Sequence, residues 1–400
     1  MKKKLVISFC VVCLVSIFLA YVAPTQAAEP AEWRVGLHAT MSGRGAMWGT
    51  AFTRANLTLI EPINKEGGLL VRGKRYPIKY VKYDNKRDPA VSVENTKNLI
   101  FTDKVQAIMH HGGVCVTPTL PTTSEHKIMT MDISVGPQTL RWPYNFNTLP
   151  AGRNWSLMAL KAMKRQWGIK TVAEINPDNE SGYTTEADDK WAAEQVGAKI
   201  ISHQFFPSDT TDFYPILSKA IAAKADMILI GLGNPGNVPL IIKQARELGW
   251  KGPLGMTQGA IGAPSSAVKI AGKGAEGFVY CTPCHADPRY LSEAQKEGMA
   301  YYLKKWGEPF IPDFFLGFMQ LSPLIQAIQR AGTFDPDEVA KVLETGEFVV
   351  QGWKLHYVST PDTYKGRPRS MVFPFPVQTI RGGKNVLIDL IVPEGVEKVR

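Results

Sequence analysis

Short apolar runs closed by Gly, Pro or small polar residues alternate along this chain with helix-length segments whose apolar positions recur every three or four residues. The pattern is clearest from Val105 to Gly136. An apolar run ends in His110 and His111; Gly112-Gly113 and a Ser/Thr/Pro-rich segment of helical length follow. A second apolar run then covers Ile128 to Met131, ahead of Asp132, Ser134 and Gly136. Runs without polar alternation describe strands buried on both faces, and a helix between two of them makes a βαβ unit of a parallel sheet. Both strands end on one edge, and such sheets bind ligands in the crevice beyond that edge. Thr117, Thr119 and Ser134 are therefore candidate ligand donors, although hydroxyls in this position also cap helices and close turns.

The same alternation fills most of the chain. Trp33 to Ala39 reads as a strand and Thr40 to Gly49 as the loop after it. A helix spaced by Ala51, Ala55, Leu59 and Ile63 follows, with Pro62 expected to kink its last turn. Tyr76 to Tyr83 is a strand and Pro89 to Phe101 a helix. Beyond Thr148 the rhythm restarts, with strands expected near Thr171, Lys199, Asp226 and Leu254 and helices between them. Two successive sets of parallel βα units predict an α/β fold of two doubly wound lobes. Gly277 to Tyr280 reads as a strand leading back to the first lobe. Two helical stretches follow, and the residues after Gly346 are strand-like and Pro-rich. The predicted organisation is a first lobe of residues 28–148 and 279–352 and a second of residues 149–278 and 353–400.

A length of 400 residues with 44% hydrophobic content suits two lobes of ordinary size. Met1 to Ala27 reads as a signal peptide: Lys2 to Lys4, then an apolar stretch from Leu5 to Val22, then small residues that favour cleavage near Ala27. Its removal lowers the formal net charge from +10 to +7 and leaves Cys115, Cys281 and Cys284. Charges elsewhere are mixed in sign, as in Asn85-Lys86-Arg87-Asp88 and Asp188-Asp189-Lys190. These read as solvated surface and exclude a nucleic-acid stripe. After Ala28 no run is long and apolar enough to span a bilayer.

Three motifs invite chemistry. Gly231-Leu-Gly-Asn-Pro-Gly236 has the GxGxxG form after a strand, but Leu254 to Gly259 holds no ribose-binding acid and Pro235 removes a phosphate-facing donor, which argues against a dinucleotide enzyme. Cys281-Thr-Pro-Cys284-His285 has the form of a c-type haem attachment; a local disulfide or two thiols in a hinge loop is the alternative. His110-His111 cannot bind one metal ion from a strand, because adjacent residues face opposite ways.

Several short motifs, in this order and spacing, carry a resemblance: Val35-Gly-Leu37, Ser42-Gly43 and Trp48-Gly49, Ile63 to Gly68, Tyr83-Asp84, Asp88-Pro89, Gly113 to Pro121, Asp209 with Thr211-Asp-Phe213, Lys243 to Gly249, Ile270-Ala-Gly272 and Ala275-Glu-Gly277. Over residues 33 to 392 the chain resembles the periplasmic solute-binding proteins of ABC transporters, in particular the branched-chain amino acid and amide-binding family. The resemblance implies a type I periplasmic fold of two lobes joined by three crossings. It also implies a solute enclosed between the lobes, docking of a monomeric protein on an inner-membrane permease, a periplasmic location and no catalysed reaction, cofactor or metal. A periplasmic sensing module for a membrane receptor is the alternative use of such a fold.

Carried over by position, the resemblance places solute carboxylate donors at Cys115 to Thr117 and at Ser134, Val135 and Gly136, and a stacking aromatic at Trp48, for which hinge-side core packing is the alternative. Tyr183 stands in for a second-lobe tyrosine, Asn234 lies at a strand-end loop, and Gln258 occupies the region where amino-acid binders keep a carboxylate for the ligand ammonium. No acid lies from Gln258 to Ala260. A buried ammonium without a counter-charge costs several kcal/mol, so the expected solute is a carboxylate, an aromatic acid or an amide rather than an α-amino acid.

Overall fold

The computed structural model describes residues 31–399 apart from residues 135, 208, 234, 235, 260, 261, 286 and 288. The expected signal peptide, with Cys10 and Cys13, lies outside the described residues.

The first sheet grows from β1 (Trp33–Ala39), a run of seven residues of which six are buried. It leads into α1 (Ala46–Lys65), the hairpin β2 (Leu69–Val71) and β3 (Lys74–Tyr76), and β4 (Ile78–Asp84), which pairs in parallel with β1. Pro62 does not break α1: it removes the N–H that would bond the carbonyl four residues back, but it lies in the last turn, and its own carbonyl still accepts from Glu66 N–H at 3.3 Å. Next comes α2 (Pro89–Lys97), opened by Asp88, whose carboxylate accepts from the N–H groups of Ala90 and Val91 at 2.7 and 2.9 Å. Then follow β5 (Ala107–His111), the short helices α3 (Gly113–Val116) and α4 (Leu120–Glu125), β6 (Met129–Ile133) and β7 (Asn145–Asn147). The expected βαβ unit is present, its helix broken into short turns at Pro118 and Pro121.

The second lobe repeats the scheme with α5 (Gly152–Trp167), β8 (Thr171–Pro177), α6 (Glu180–Gln195), β9 (Lys199–Phe206), α7 (Tyr214–Ala222), β10 (Met227–Gly233), α8 (Val238–Glu247), β11 (Leu254–Gly259), α9 (Gly262–Ala271) and β12 (Val279–Cys281). The chain then returns to the first lobe through α10 (Glu293–Trp306), α11 (Phe314–Ala331) and α12 (Pro336–Thr345), followed by β13 (Glu347–Val350), β14 (Trp353–Val358) and β15 (Ser370–Val372). It ends with β16 (Phe375–Arg381), β17 (Lys384–Ile391) and β18 (Glu397–Lys398).

Pairing gives a nine-stranded sheet in the order β13-β14-β15-β7-β6-β5-β1-β4, with β18 on β14, and a seven-stranded sheet in the order β17-β16-β12-β11-β10-β8-β9. Both are parallel at their centres; the late strand β15 joins the first sheet in parallel on β7, and the other late strands pair antiparallel. This moves two expected boundaries. Val279–Cys281 pairs with β11 and β16 and so belongs to the second sheet. Residues 353–372 pair with the first, through β14 and the Ser370↔Asn147 register. Helix α12 is an addition to the expected elements, opened by Asp335, whose carboxylate accepts from Asp337 and Glu338 N–H.

Between the sheets the chain passes at residues 148–151, 282–292 and 373–374, the expected three crossings, and residues 392–396 add a fourth that brings β18 home. Helix α11 anchors the first lobe: thirteen of its 18 residues are buried, as a helix apolar around most of its surface requires. Its one buried amide, Gln320, donates to the carbonyls of His110 and Met131, both at 2.8 Å, which fixes the helix across β5 and β6.

Candidate functional site

At the carboxyl edge of the first sheet the register sets His38, His110, Asp132 and Asn147 side by side on four adjacent strands. In-register parallel neighbours share a face, and all four are buried. The rings of His38 and His110 meet edge-on at 5.3 Å, and burial pushes His38 down to about 4 and His110 below its ordinary range, so both are neutral imidazoles. His111 faces the opposite way, against the rings of Trp48 at 5.0 Å and Phe52 at 4.9 Å. The two adjacent histidines therefore do not converge.

Of the nine residues expected at the site, five described ones lie in the first lobe. Trp48 sits in the first turn of α1, half-buried between His111 and the guanidinium of Arg87, which lies 5.7 Å from its ring. Its indole also supports the buried carboxyl of Asp313, which burial raises to about 7. Cys115 is a buried free thiol, raised by burial. The hydroxyl oxygen of Thr117 is buried and has no partner among the described residues. Gly112, at φ 90, turns the chain from β5 into α3 and so brings Cys115 and Thr117 to the edge.

Ser134 is committed within its own lobe. Its hydroxyl lies 3.0 Å from Asp132 Oδ2 and 3.0 Å from Thr139 Oγ1, and Thr139 in turn reaches the carbonyl of Gly136 at 3.1 Å. Gly136 is in ordinary extended backbone. Val135 and Asn234 lie outside the described residues.

In the second lobe Tyr183 is exposed, meets the Phe205 ring at a tilt with centroids 4.6 Å apart and donates to Asp178. It stands on the first turn of α6, where Gly182 comes so close to the Pro177 carbonyl that a Cβ there would lie 1.9 Å from its oxygen. Gln258 is buried at the end of β11, and its carboxamide is spent on neighbours: Nε2 donates to Ser156 at 3.0 Å and to Asp188 at 3.4 Å, and Oε1 accepts from Thr185 at 3.5 Å.

The largest correction concerns Asp188 and Asp189, read from sequence as solvated surface. Both are buried on the inner face of α6 beside Glu174 of β8. Thr257 donates to Asp189 at 2.7 Å and Asn176 donates to Glu174 at 2.6 Å. Burial and mutual repulsion raise Glu174, and burial raises Asp189. Asp188, raised to about 7 by burial and by Asp189, lies 3.9 Å from the guanidinium of Arg153. Their helix carries no apolar stripe that would have marked the acids as inward-facing.

Asp188 also borders a cavity of about 220 Å³ beside the first crossing, lined by Pro137, Gly152, Arg153, Trp191, Thr360 and Asp362 among others. The cavity touches none of the nine expected residues. Closer to them, Gln138 of the first lobe donates to Glu180 of the second at 2.8 Å, so the two edges meet there. The Cys281-to-His285 segment is a crossing: both thiols are buried, and Thr282 and Gln378 both donate to the Cys284 carbonyl, at 2.9 and 3.3 Å. Two thiols packed into the core present no face to a porphyrin, so the haem reading is dropped.

Two doubly wound lobes joined by several crossings, taken with the family match, define a two-lobed solute-binding protein. The chain belongs to the periplasmic binding protein family, whose profile matches residues 32–380. The leucine-, isoleucine-, valine-, threonine- and alanine-binding protein of Pseudomonas aeruginosa is 25% identical over 327 residues, 79% of this chain and 83% of the relative. Among solved structures, the leucine-binding protein of Thermotoga maritima superposes with a TM-score of 0.74 at 21% identity, covering 90% of this chain and 99% of the other. An ABC-transporter solute-binding protein of R. palustris in complex with benzoate gives 0.72 at 18% identity, with 90% and 97% covered.

Proposed function

We propose that this periplasmic binding protein carries a small organic carboxylate, or its amide, between its two lobes to the permease of an ABC importer, and that it catalyses no reaction. The observation that carries the reading is the pair of commitments at the cleft edges. On the first lobe, Thr117 keeps a buried hydroxyl with no partner among the described residues, a donor suited to a bound oxygen. On the second, Gln258 stands where a counter-charge for an ammonium is expected, and its carboxamide is already bonded to Ser156 and Asp188. Asp188 does not replace that counter-charge, since it already faces Gln258 and Arg153 and burial raises it to about 7. Trp48 supplies an apolar wall for an aromatic or branched body. The relatives are named for branched-chain amino acids and, in one structure, hold benzoate, so both kinds of solute are within reach of the fold.

The same reading makes the chain a periplasmic monomer with its leader removed near Ala27. Calorimetric titration with benzoate, 4-methylpentanoate and leucine tests the ligand class. Binding of a carboxylate at least tenfold tighter than leucine is expected, with Trp48→Ala and Thr117→Val both weakening it. Tight leucine binding without carboxylate binding would overturn the reading.

A further inference from the structure

The hydroxyl of Ser134 has one hydrogen, and what lies around it decides where that hydrogen points. Asp132 Oδ2 is 3.0 Å away and also receives the Asn145 amide at 3.0 Å. Thr139 Oγ1 is at 3.0 Å and can give its own hydrogen to the Gly136 carbonyl at 3.1 Å. With Asp132 ionised, the carboxylate can only accept, so it claims the Ser134 hydrogen and leaves lone pairs facing the cleft. With Asp132 protonated, the acid donates to Ser134 Oγ, and the Ser134 hydrogen is free to point outward.

We propose that Asp132 is a positioning residue that couples anion binding to proton uptake: Ser134 donates to a solute carboxylate only when Asp132 carries a proton. The inference rests on the carboxylate reading above and adds to it that Ser134, just beyond the end of β6, is one of the groups that meet the solute carboxylate. The proton balance is simple. One proton from solvent joins the Asp132 carboxylate as the anion enters, and it leaves when the anion leaves.

Three observations support it. Asp132 is wholly buried, and its second oxygen, Oδ1, has no partner among the described residues, so nothing there fixes a charge on it. The groups facing it from neighbouring strands are the neutral His110 of β5 and Asn147 of β7; the phenol of Tyr357 on β14 also feels its charge, and Arg369, which acts on that phenol, is ion-paired to Glu344 at 2.7 Å. Burial, opposed by the hydrogen bonds from Asn145, Ser134 and Thr139, raises Asp132 to about 7, so both protonation states are accessible near neutral pH.

The test is calorimetric titration of the whole mature protein with benzoate and with 4-methylpentanoate from pH 6 to pH 8.5, each in two buffers of unlike ionisation enthalpy. Benzamide serves as the neutral control. Expected is an affinity for the carboxylates about thirtyfold weaker at pH 8.5 than at pH 6, with uptake near one proton at the upper end, and no such slope for benzamide. Asp132→Asn, which keeps a donor beside Ser134, should abolish the slope, and Ser134→Ala should flatten it while weakening binding. A carboxylate affinity that does not change with pH would overturn the proton coupling and leave the carboxylate reading standing. Failure of both carboxylates to bind at pH 6 would overturn both. A carbon-13 titration of ligand-free protein that places the Asp132 carboxyl below pH 5 would overturn the coupling without any ligand.

Discussion

Replacing Gln258 by glutamate restores the acid that the sequence lacks at this position, and the structure says it will be repelled. The amide nitrogen of Gln258 lies 3.4 Å from Asp188 Oδ2 and 3.0 Å from Ser156 Oγ. In Gln258→Glu a second carboxylate oxygen occupies that place, and two unit charges 3.4 Å apart repel by about 5 kcal/mol at the effective dielectric that suits protein sites. That is comparable to the whole stability of an ordinary domain, so the pair cannot stay doubly ionised. Because Asp188 is already raised to about 7, it is protonated at pH 5 and can then donate to the new carboxylate. Chemical denaturation should therefore show a deficit of several kcal/mol at pH 8 that shrinks to roughly 1 kcal/mol at pH 5. An equal deficit at both values would show that Gln258 faces open solvent and not Asp188. Tight leucine binding by the variant with no change in pH dependence would refute the same reasoning from the ligand side.

Other outcomes follow from buried charge. Arg369 is wholly buried, ion-paired to Glu344 at 2.7 Å and placed over the Phe146 ring at 4.3 Å, so Glu344→Gln should cost roughly 3 kcal/mol in equilibrium unfolding, and a cost below 0.5 kcal/mol would show the pair to be solvated. Asp132, Asp188 and Asp313 are each raised to about 7, so the stability they contribute is complete below about pH 4 and is lost as pH rises through 7. His38 and His285, lowered to about 4, and His111, to about 3, contribute stability above about pH 6.5 that is lost on acidification. The two sets oppose each other below pH 6.5 and only the acids act above it, so the melting temperature should fall between pH 6.5 and pH 8, and a rise there would contradict the assignment. Cys115, Cys281 and Cys284 are free and buried, with burial raising all three thiols, so native protein should react with a thiol reagent at least a hundredfold more slowly than protein in denaturant.

Much of the central architecture is legible in the chain because parallel strands buried on both faces leave an uninterrupted apolar signature. The run before His110, and that from Ile128 to Met131, are strands where the pattern puts them. Pairing between distant segments is not legible in that way. Nothing local to residues 353–372 says that Ser370 will lie beside Asn147, and Val279–Cys281 reads equally well on either sheet. The polar floor of the second lobe escaped for a different reason. Asp188 and Asp189 stand among polar neighbours on α6, and an inward-facing acid is visible only once Thr257, Asn176 and Gln258 arrive from other strands to bond the cluster. The hydroxyls at the edge of the first lobe were found by type and place, but their commitments were not: Ser134 looks in sequence like a free donor and proves to be held by an acid two residues earlier.

The closing run at residues 392–396, which carries β18 back onto β14 at Trp353 and Lys354, has a mechanical implication. Several tethers side by side resist twisting far more than they resist bending, as a strap hinge does compared with a single pin. Swinging of one half against the other is thereby confined to one axis, and the rims should return to the same alignment at each stroke. Trimming the final eight residues would remove one strap together with the buried Val396, trading accuracy of alignment for range of travel.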